Sequence, residues 1–365
     1  MIRFTWLRFR AQAAIACGVL VVVAAILALT GFHMAAVYNA AVAPCQRYHD
    51  CAAVLHAFPP APDRTVWALM DDLVVAAPGL IGIFWGAPLV AREFETGTFR
   101  LAWTQGISRT RWLAVKLGVV GAVAVIVAGV LSALVSWWSR PIEQASLLDR
   151  IALGSFHAGG IVPVGYAAFG FALGVTAGLL IRRTLPAMAV TLIIFAGVQF
   201  AVPVYVRPHL IPPVTTSAPL NVASVVEWGA TDAGQPGGGN LFVATTPSVP
   251  GAWMVSSQIV TPAGRPAATE PATPACGGNA TTQSCQTYVA SLHLRQEMTY
   301  QPASRYWPLQ WLETAIYLAA ALLLSGLCFL WIRRGRPPRD DVAGGPGEAV
   351  VLQNWRRPAS SHQSA

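Results

Sequence analysis

Residues Ala13–Ala36 read AAIACGVLVVVAAILALTGFHMAA, 24 positions without an Asp, Glu, Lys or Arg. A helix rises 1.5 Å per residue, so about 20 apolar residues cross a hydrocarbon layer of about 30 Å. In lipid, backbone amides must be satisfied within the segment, which selects a helix. Five further stretches have the same character: Leu73–Val90, Leu113–Trp138, Ile161–Ile181, Leu185–Val206 and Trp311–Ile332. The expected fold class is therefore all-α integral membrane, with six transmembrane helices and a long loop between spans five and six.

Composition agrees. Apolar residues make up 55% of the 365 and charged residues 11%, against about 25% charged in a soluble domain. The net charge of +8 suggests nucleic acid, but the basic residues flank spans instead of gathering on one soluble face, so no nucleic-acid partner is expected.

Their distribution sets an orientation. With an inside N-terminus, segments 1–10, 91–116 and 182–184 hold ten Arg and Lys in 39 residues, whereas 38–72 and 139–160 hold four in 57. Six more Arg follow in the tail. The positive-inside rule then predicts a multi-pass cell-membrane protein with both termini cytoplasmic. The expected organisation is a membrane region over 1–206, an extracytoplasmic loop or small ectodomain over 207–310, a sixth span over 311–332, and a disordered tail over 333–365.

Two Cys pairs, Cys45 with Cys51 and Cys276 with Cys285, fall in the loops this topology places outside. Close pairs in an oxidising compartment read as two local disulfides. Free thiols or a metal site are the alternatives, though the neighbouring His residues lack a zinc spacing, and no metal is expected. The opening MIRFTWLRFR reads equally as a short interfacial helix or as anchoring of the first span. In the 207–310 segment, strand-like runs occupy Asn221–Trp228, Leu241–Thr246 and Trp253–Val260, and Gln286–Glu297 is expected to be helical.

Catalytic motifs are missing. A single Lys, Lys116, stands in AWTQGISRTRWLAVKLG, so no G-x-x-x-x-G-K-[ST] loop can be built. Neither H-E-x-x-H nor G-x-S-x-G occurs. No catalytic residue and no cofactor is expected in this chain. Few ionisable residues are expected deep in any span, with His33 and His157 interfacial, which disfavours a proton-coupled carrier.

The stretch AREFETGTFRLAWTQGISRTRWLAVKL, Ala91–Leu117, is the most informative inside segment. Thr98 is placed to cap a short helix through Trp103, and Ser108 to cap the next, with breaks at Gly97 and Gly106. A short rigid helix beneath a bundle suits a groove on a cytosolic partner; an ordinary interfacial loop is the plainer reading.

Within spans, Gly170, Gly174 and Gly178 repeat every four residues, a spacing that lets helices approach closely, inside the chain or between subunits. Phe84, Trp85, Phe195, Gln199 and Phe200 are candidates for an amphiphile path, or face lipid or core. Trp137, Trp138, Trp307, Trp311 and Trp331 suit an aromatic belt.

The segment REFETGTFRLAWTQGISRTRWLAVKLG resembles the stretch after the second span of ATP-binding-cassette (ABC) type-2 permeases. Glu95, Gly97, Thr98, Ser108, Arg109 and Lys116 occupy the matching positions: an acidic residue before Gly-Thr, a Thr-x-Gly/Pro-x-Ser-Arg stretch, and a Lys at the next span. YQPASRYWPLQWLETAIYLAA, Tyr300–Ala320, is similar to actinobacterial permeases of this kind, and the six-span plan matches over most of the chain. The long 207–310 segment departs from the pattern, since many members have a shorter re-entrant hairpin there. The resemblance implies a permease pairing with a second copy or paralogue in membrane lipid, above cytosolic ABC ATPase subunits that bind ATP and Mg. It also implies an ATPase-contact segment over Arg92, Glu93, Phe94, Glu95, Thr98, Phe99, Arg100, Trp103, Arg109 and Arg111. The expected function is ATP-driven export of a lipid-like, drug-like or other amphiphilic molecule. The rival is a membrane-anchored receptor or assembly protein, whose ectodomain senses or scaffolds.

Overall fold

The computed structural model describes residues 2–48, 54, 57–98, 108–145, 151, 153–221, 225–230, 241–245, 249, 251–267 and 281–334. Six helices are long and apolar enough to cross a membrane: Phe9–Cys45 (span 1), Ala61–Glu95 (span 2), Arg109–Gln144 (span 3), Val162–Ile181 (span 4), Thr184–Leu210 (span 5) and Ala303–Arg334 (span 6). The chain is therefore a multi-pass membrane protein, mostly helical. Each expected span is present, but most run past their apolar limits. The helix of span 5 continues to Leu210, four residues past the expected limit at Val206.

Local chemistry sets several ends. Pro62 and Pro163 sit in the first turns of spans 2 and 4, where the missing amide hydrogen costs nothing. Spans 4 and 5 are joined by two residues: Arg182 adopts a left-handed conformation (φ 58°) and its N–H donates to the Gly178 carbonyl at 3.0 Å, while Arg183 is extended. Wide π-helical turns interrupt span 1 at Tyr38–Val42, span 2 at Gly82–Gly86 and span 5 at Val202–Val206.

Span 4 is the axis of the bundle. Spans 2, 3, 5 and 6 pack around it, and span 1 lies outside against span 3. Of the most apolar part of span 4, 72% is buried, against 17% for span 1. The stripe expected in span 4 faces span 2. A Cβ on Gly170 would meet the Pro78 carbonyl oxygen at 2.7 Å, and one on Gly178 the Ala87 oxygen at 2.5 Å; one on Gly174 would collide with the Gly82 oxygen. Gly82 and Gly86 reciprocate against the Gly170 and Phe171 oxygens. Of the two readings left open by the spacing, the stripe serves packing within the chain. Lipid tails are as apolar as Leu, so close backbone approach and dispersion hold such helices together. Leu29, Leu185, Ile193 and Leu322 accordingly point outward, each at least 70% exposed.

Trp138 corrects the aromatic-belt expectation. It is 1% exposed, wedged between spans 1 and 3, and its indole N–H donates to Thr30 Oγ1 at 2.9 Å. Trp137, Trp307, Trp311 and Trp331 are about half exposed.

The segment between spans 5 and 6 is not helical throughout. Strands β1 (Val214–Pro219), β4 (Trp253–Val260) and β5 (Arg295–Gln301) form an antiparallel sheet in the order β1-β5-β4, with Val214 opposite Tyr300 and Val260 opposite Arg295. Strands β2 (Val225–Ala230) and β3 (Leu241–Thr245) pair separately. Helix Thr282–Ser291 is capped by Thr281, whose Oγ1 accepts from Ser284 N at 3.2 Å. This helix ends six residues before the expected Glu297, because β5 takes the remainder into the middle of the sheet. Gln301 Nε2 donates to the Ile211 carbonyl at 2.6 Å, and Arg305 donates to the Pro212 carbonyl, fixing the sheet to the ends of spans 5 and 6.

Cys17 and Cys328 are free thiols inside spans, whereas Cys45 and Cys285 both have partners. Cys51 and Cys276 lie outside the described residues, as does the tail beyond 334.

Candidate functional site

The Arg-rich end of the bundle carries the segment between spans 2 and 3. Span 2 stops at Glu95. Thr96 N donates to the Arg92 carbonyl at 3.0 Å and Gly97 N to the Phe94 carbonyl at 3.3 Å. Gly97 follows with φ +68°, the left-handed position that closes a helix. Span 3 restarts at Arg109 under a Ser108 cap: the Arg111 N–H donates to Ser108 Oγ at 3.3 Å. Phe99, Arg100 and Trp103, and the short helix expected through them, lie outside the described residues.

Both acidic residues of this segment are engaged within the chain. Glu93 is 9% exposed, and its Oε1 lies 2.6 Å from Lys116 Nζ on span 3. Lys116 also donates to the Leu89 carbonyl at 3.1 Å and sits 4.3 Å from the Trp112 ring centroid. A buried charge on span 2 needs an opposite charge beside it, and Lys116, 23 residues on, provides it. Glu95 is exposed but caps span 5: its two carboxylate oxygens accept from Thr184 N at 2.8 Å and Thr184 Oγ1 at 2.6 Å. The positive pole of a helix N-terminus favours such an anion. Phe94 is half-buried, with the Arg182 guanidinium 5.5 Å from its ring centroid. Arg92, Thr98 and Arg111 are exposed and Arg109 is half-buried.

The five residues considered for an amphiphile path do not converge. Phe195 is buried against Phe169 and Gly79. Gln199 Oε1 accepts from Tyr317 OH at 3.0 Å. Phe200 is 68% exposed on the bundle surface. Phe84 and Trp85 line a common cavity at the Arg-rich end, and Phe195, Gln199 and Phe200 are not among its described lining residues.

The opposite, sheet-bearing end holds a cluster of ionisable groups buried within the protein near the ends of spans 5 and 6. Arg207 on span 5 and Glu313 on span 6 are both fully buried. Arg207 Nε donates to Glu313 Oε2 at 2.8 Å, and Nη2 donates to Glu313 Oε1 at 3.2 Å. Tyr166 OH on span 4 donates to the same Oε1 at 2.7 Å. His157, on the helix Leu153–Ala158, has Nδ1 2.6 Å from the Tyr166 oxygen and Nε2 3.2 Å from Arg207 Nη2. Since Tyr166 gives its proton to Glu313 and Arg207 can only donate, the ring closes with hydrogen on Nδ1 and a bare Nε2. Burial, then the Arg207 cation, push the His157 pKa down to about 3. Arg207 also stacks 4.1 Å above the Phe156 ring.

Beside this ring, Gln310 is satisfied at both ends of its amide. Its Oε1 accepts from Ile161 N and Val162 N, both at 3.0 Å, and its Nε2 donates to the Phe156 and Gly159 carbonyls at 3.1 and 3.2 Å. One side chain of span 6 thus caps span 4 and shapes the turn before it. The signals in sequence were a lone Glu in the run WLETAIYLA and an Arg directly after the expected limit of span 5 at Val206. They stand 106 positions apart, so nothing local pairs them.

Residues 17–207, more than half of the chain, match the family described as ABC-2 membrane transporter related. The chain belongs to the ABC-2 membrane transporter related family. The match runs from span 1 to Arg207, so this ABC-2 related permease shares spans 1 to 5 with its family, while the sheet and span 6 lie beyond it. No curated protein and no solved structure matches it.

Proposed function

We propose that this permease is the membrane subunit of an ATP-driven exporter of an amphiphilic molecule, worked by a separate cytosolic ATPase that binds ATP and Mg and docks at residues 92–111. The observation that carries this reading is the wiring of the segment's two arms. The arm ending span 2 is ion-paired to span 3 through Glu93 and Lys116 and bonded to span 5 through Glu95 and Thr184. Span 2 is also packed backbone to backbone on span 4. A push on the arm that ends span 2 therefore reaches spans 3, 4 and 5 through these contacts. Docking draws on the segment expected from the sequence, Arg92, Glu93, Phe94, Glu95, Thr98, Phe99, Arg100, Trp103, Arg109 and Arg111, with Glu93 and Glu95 also tying it to spans 3 and 5.

In this reading the Arg-rich end is cytoplasmic, the sheet is extracytoplasmic in a cell membrane, and two copies or a copy and a paralogue pair around the path. Cys45–Cys51 and Cys276–Cys285 are then outside disulfides; among the described residues the free thiols, Cys17 and Cys328, lie within spans.

Affinity isolation of the full chain in mild detergent tests the proposal. An ATPase and a second permease copurify, and deletion of 98–103 releases the ATPase while the chain stays in the membrane. Copurification without any ATPase overturns the exporter and leaves the receptor or assembly reading.

A further inference from the structure

A cleft of about 440 Å³ opens at the Arg-rich end, between the first turns of the N-terminal helix and the last turns of span 2. Its size lies within the range of small-ligand sites. Its two halves differ in chemistry. Phe9 and Trp85 meet edge to face at 4.9 Å and form an apolar wall. Phe84 continues that wall to the bundle surface, where it is 52% exposed at a position within a span, so this side opens onto lipid. The other side carries exposed Arg92, Thr96, Thr98 and Gln12. The buried Glu93–Lys116 pair closes the inner end and cancels its own charge. None of the described carboxylates pairs with Arg92, so among the described lining residues one positive charge is left over, at the polar mouth. The wide turn Gly82–Gly86 places both aromatic residues on this side of span 2.

We propose that this cleft binds one anionic phospholipid, entering sideways from the membrane leaflet at the Arg-rich end. Its phosphate sits against the Arg92 guanidinium and accepts from the Thr98 hydroxyl, while Thr96 keeps its own hydrogen on the Arg92 carbonyl at 2.9 Å; an acyl chain lies along Phe84, Trp85 and Phe9. A planar guanidinium matches phosphate geometry in two parallel hydrogen bonds. The lateral opening favours a lipid over a soluble phosphate, which would leave the aromatic wall unfilled. The site deepens the exporter reading by naming a substrate class and its point of entry, but binding requires no ATPase.

The test uses purified full-length chain in mixed micelles with phosphatidylglycerol carrying a photoactivatable group in its acyl chain, and the matching phosphatidylcholine as control. Labelled peptides are then mapped. Phosphatidylglycerol is expected to label the peptide containing Phe84 and Trp85 about tenfold more than phosphatidylcholine, the worth of one charge-assisted hydrogen-bond pair. Arg92→Ala brings it down to the phosphatidylcholine level, Arg92→Lys retains part, and glycerol phosphate in millimolar excess does not compete. Trp85→Leu, which leaves Arg92 in place, lowers labelling separately. Equal labelling by the two lipids, labelling unchanged in Arg92→Ala, or displacement by glycerol phosphate each overturns the site. Because the assay contains no ATPase, its failure leaves ATPase docking standing, and a lost ATPase leaves this result standing.

Discussion

At the scale of single residues, His157 sets a pH dependence. In the folded chain it is neutral, enclosed by Arg207, Tyr166 and Glu313, with its pKa down at about 3; unfolded, an imidazole takes a proton near pH 6.5. Between those values the unfolded chain binds more protons, so stability is full above about pH 6.5 and falls as pH is lowered toward 3. The slope approaches about 1.4 kcal/mol per pH unit, or about 2 kcal/mol from pH 7.5 to pH 5. Thermal unfolding of the detergent-solubilised protein at those two pH values measures it, and His157→Gln is expected to flatten the difference. An equal pH dependence in both proteins would remove His157 from the account. Gly160 shows how tightly the neighbouring turn is defined. It sits at φ +71°, where a Cβ would also meet Gln310 Oε1 at 2.6 Å, so both backbone and space require glycine.

At the scale of elements, the spans were legible in the sequence because lipid imposes one rule on every residue of a span. Length and apolarity located all six, and the Ser108 cap and Gly97 break emerged where local chemistry placed them. What the sequence concealed was decided across distance. Gln296 and Glu297 favour a helix locally, but β5 is paired on both edges, by β1 and β4, and that pairing outweighs propensity. Glu93 and Glu95 look alike in REFETG, yet one faces span 3 and the other the start of span 5. The glycine stripe fell between these cases, since the spacing revealed a contact face without naming its partner. Its consequence is measurable. Gly174→Ala sets a methyl against the Gly82 carbonyl and the Ala87 amide, so spans 2 and 4 must separate; overpacking of this kind costs about 1–3 kcal/mol. Gly197 on span 5 has nothing within 4 Å of an added Cβ, and Gly197→Ala is expected to be neutral or stabilising by helix propensity. Thermal melts of the two variants in the same detergent separate packing from propensity. Equal melting temperatures would mean that spans 2 and 4 yield at no cost.

At the scale of the whole molecule, the bundle is tied at both ends by different chemistry. At the sheet-bearing end, Arg207, Glu313, Tyr166 and His157 join spans 4, 5 and 6 to the helix before span 4. At the Arg-rich end, Glu93–Lys116 and Glu95–Thr184 join spans 2, 3 and 5. Only the second set borders the link that the proposed ATPase would move, so the functional reading depends on which end meets the cytosol. Ten basic residues in the short links and N-terminus of one end, against four in those of the other, predict that it is the Arg-rich end. Ser108→Cys and Thr215→Cys report the two ends, since both positions are exposed. They are best placed singly in a chain with Cys17 and Cys328, the free thiols among the described residues, changed to Ala. In intact cells a membrane-impermeant maleimide is expected to label Cys at 215 and spare Cys at 108, and permeabilisation exposes both. The reverse pattern would place residues 92–111 on the far side of the membrane from any ATPase, and no permease mechanism driven through that segment would survive it.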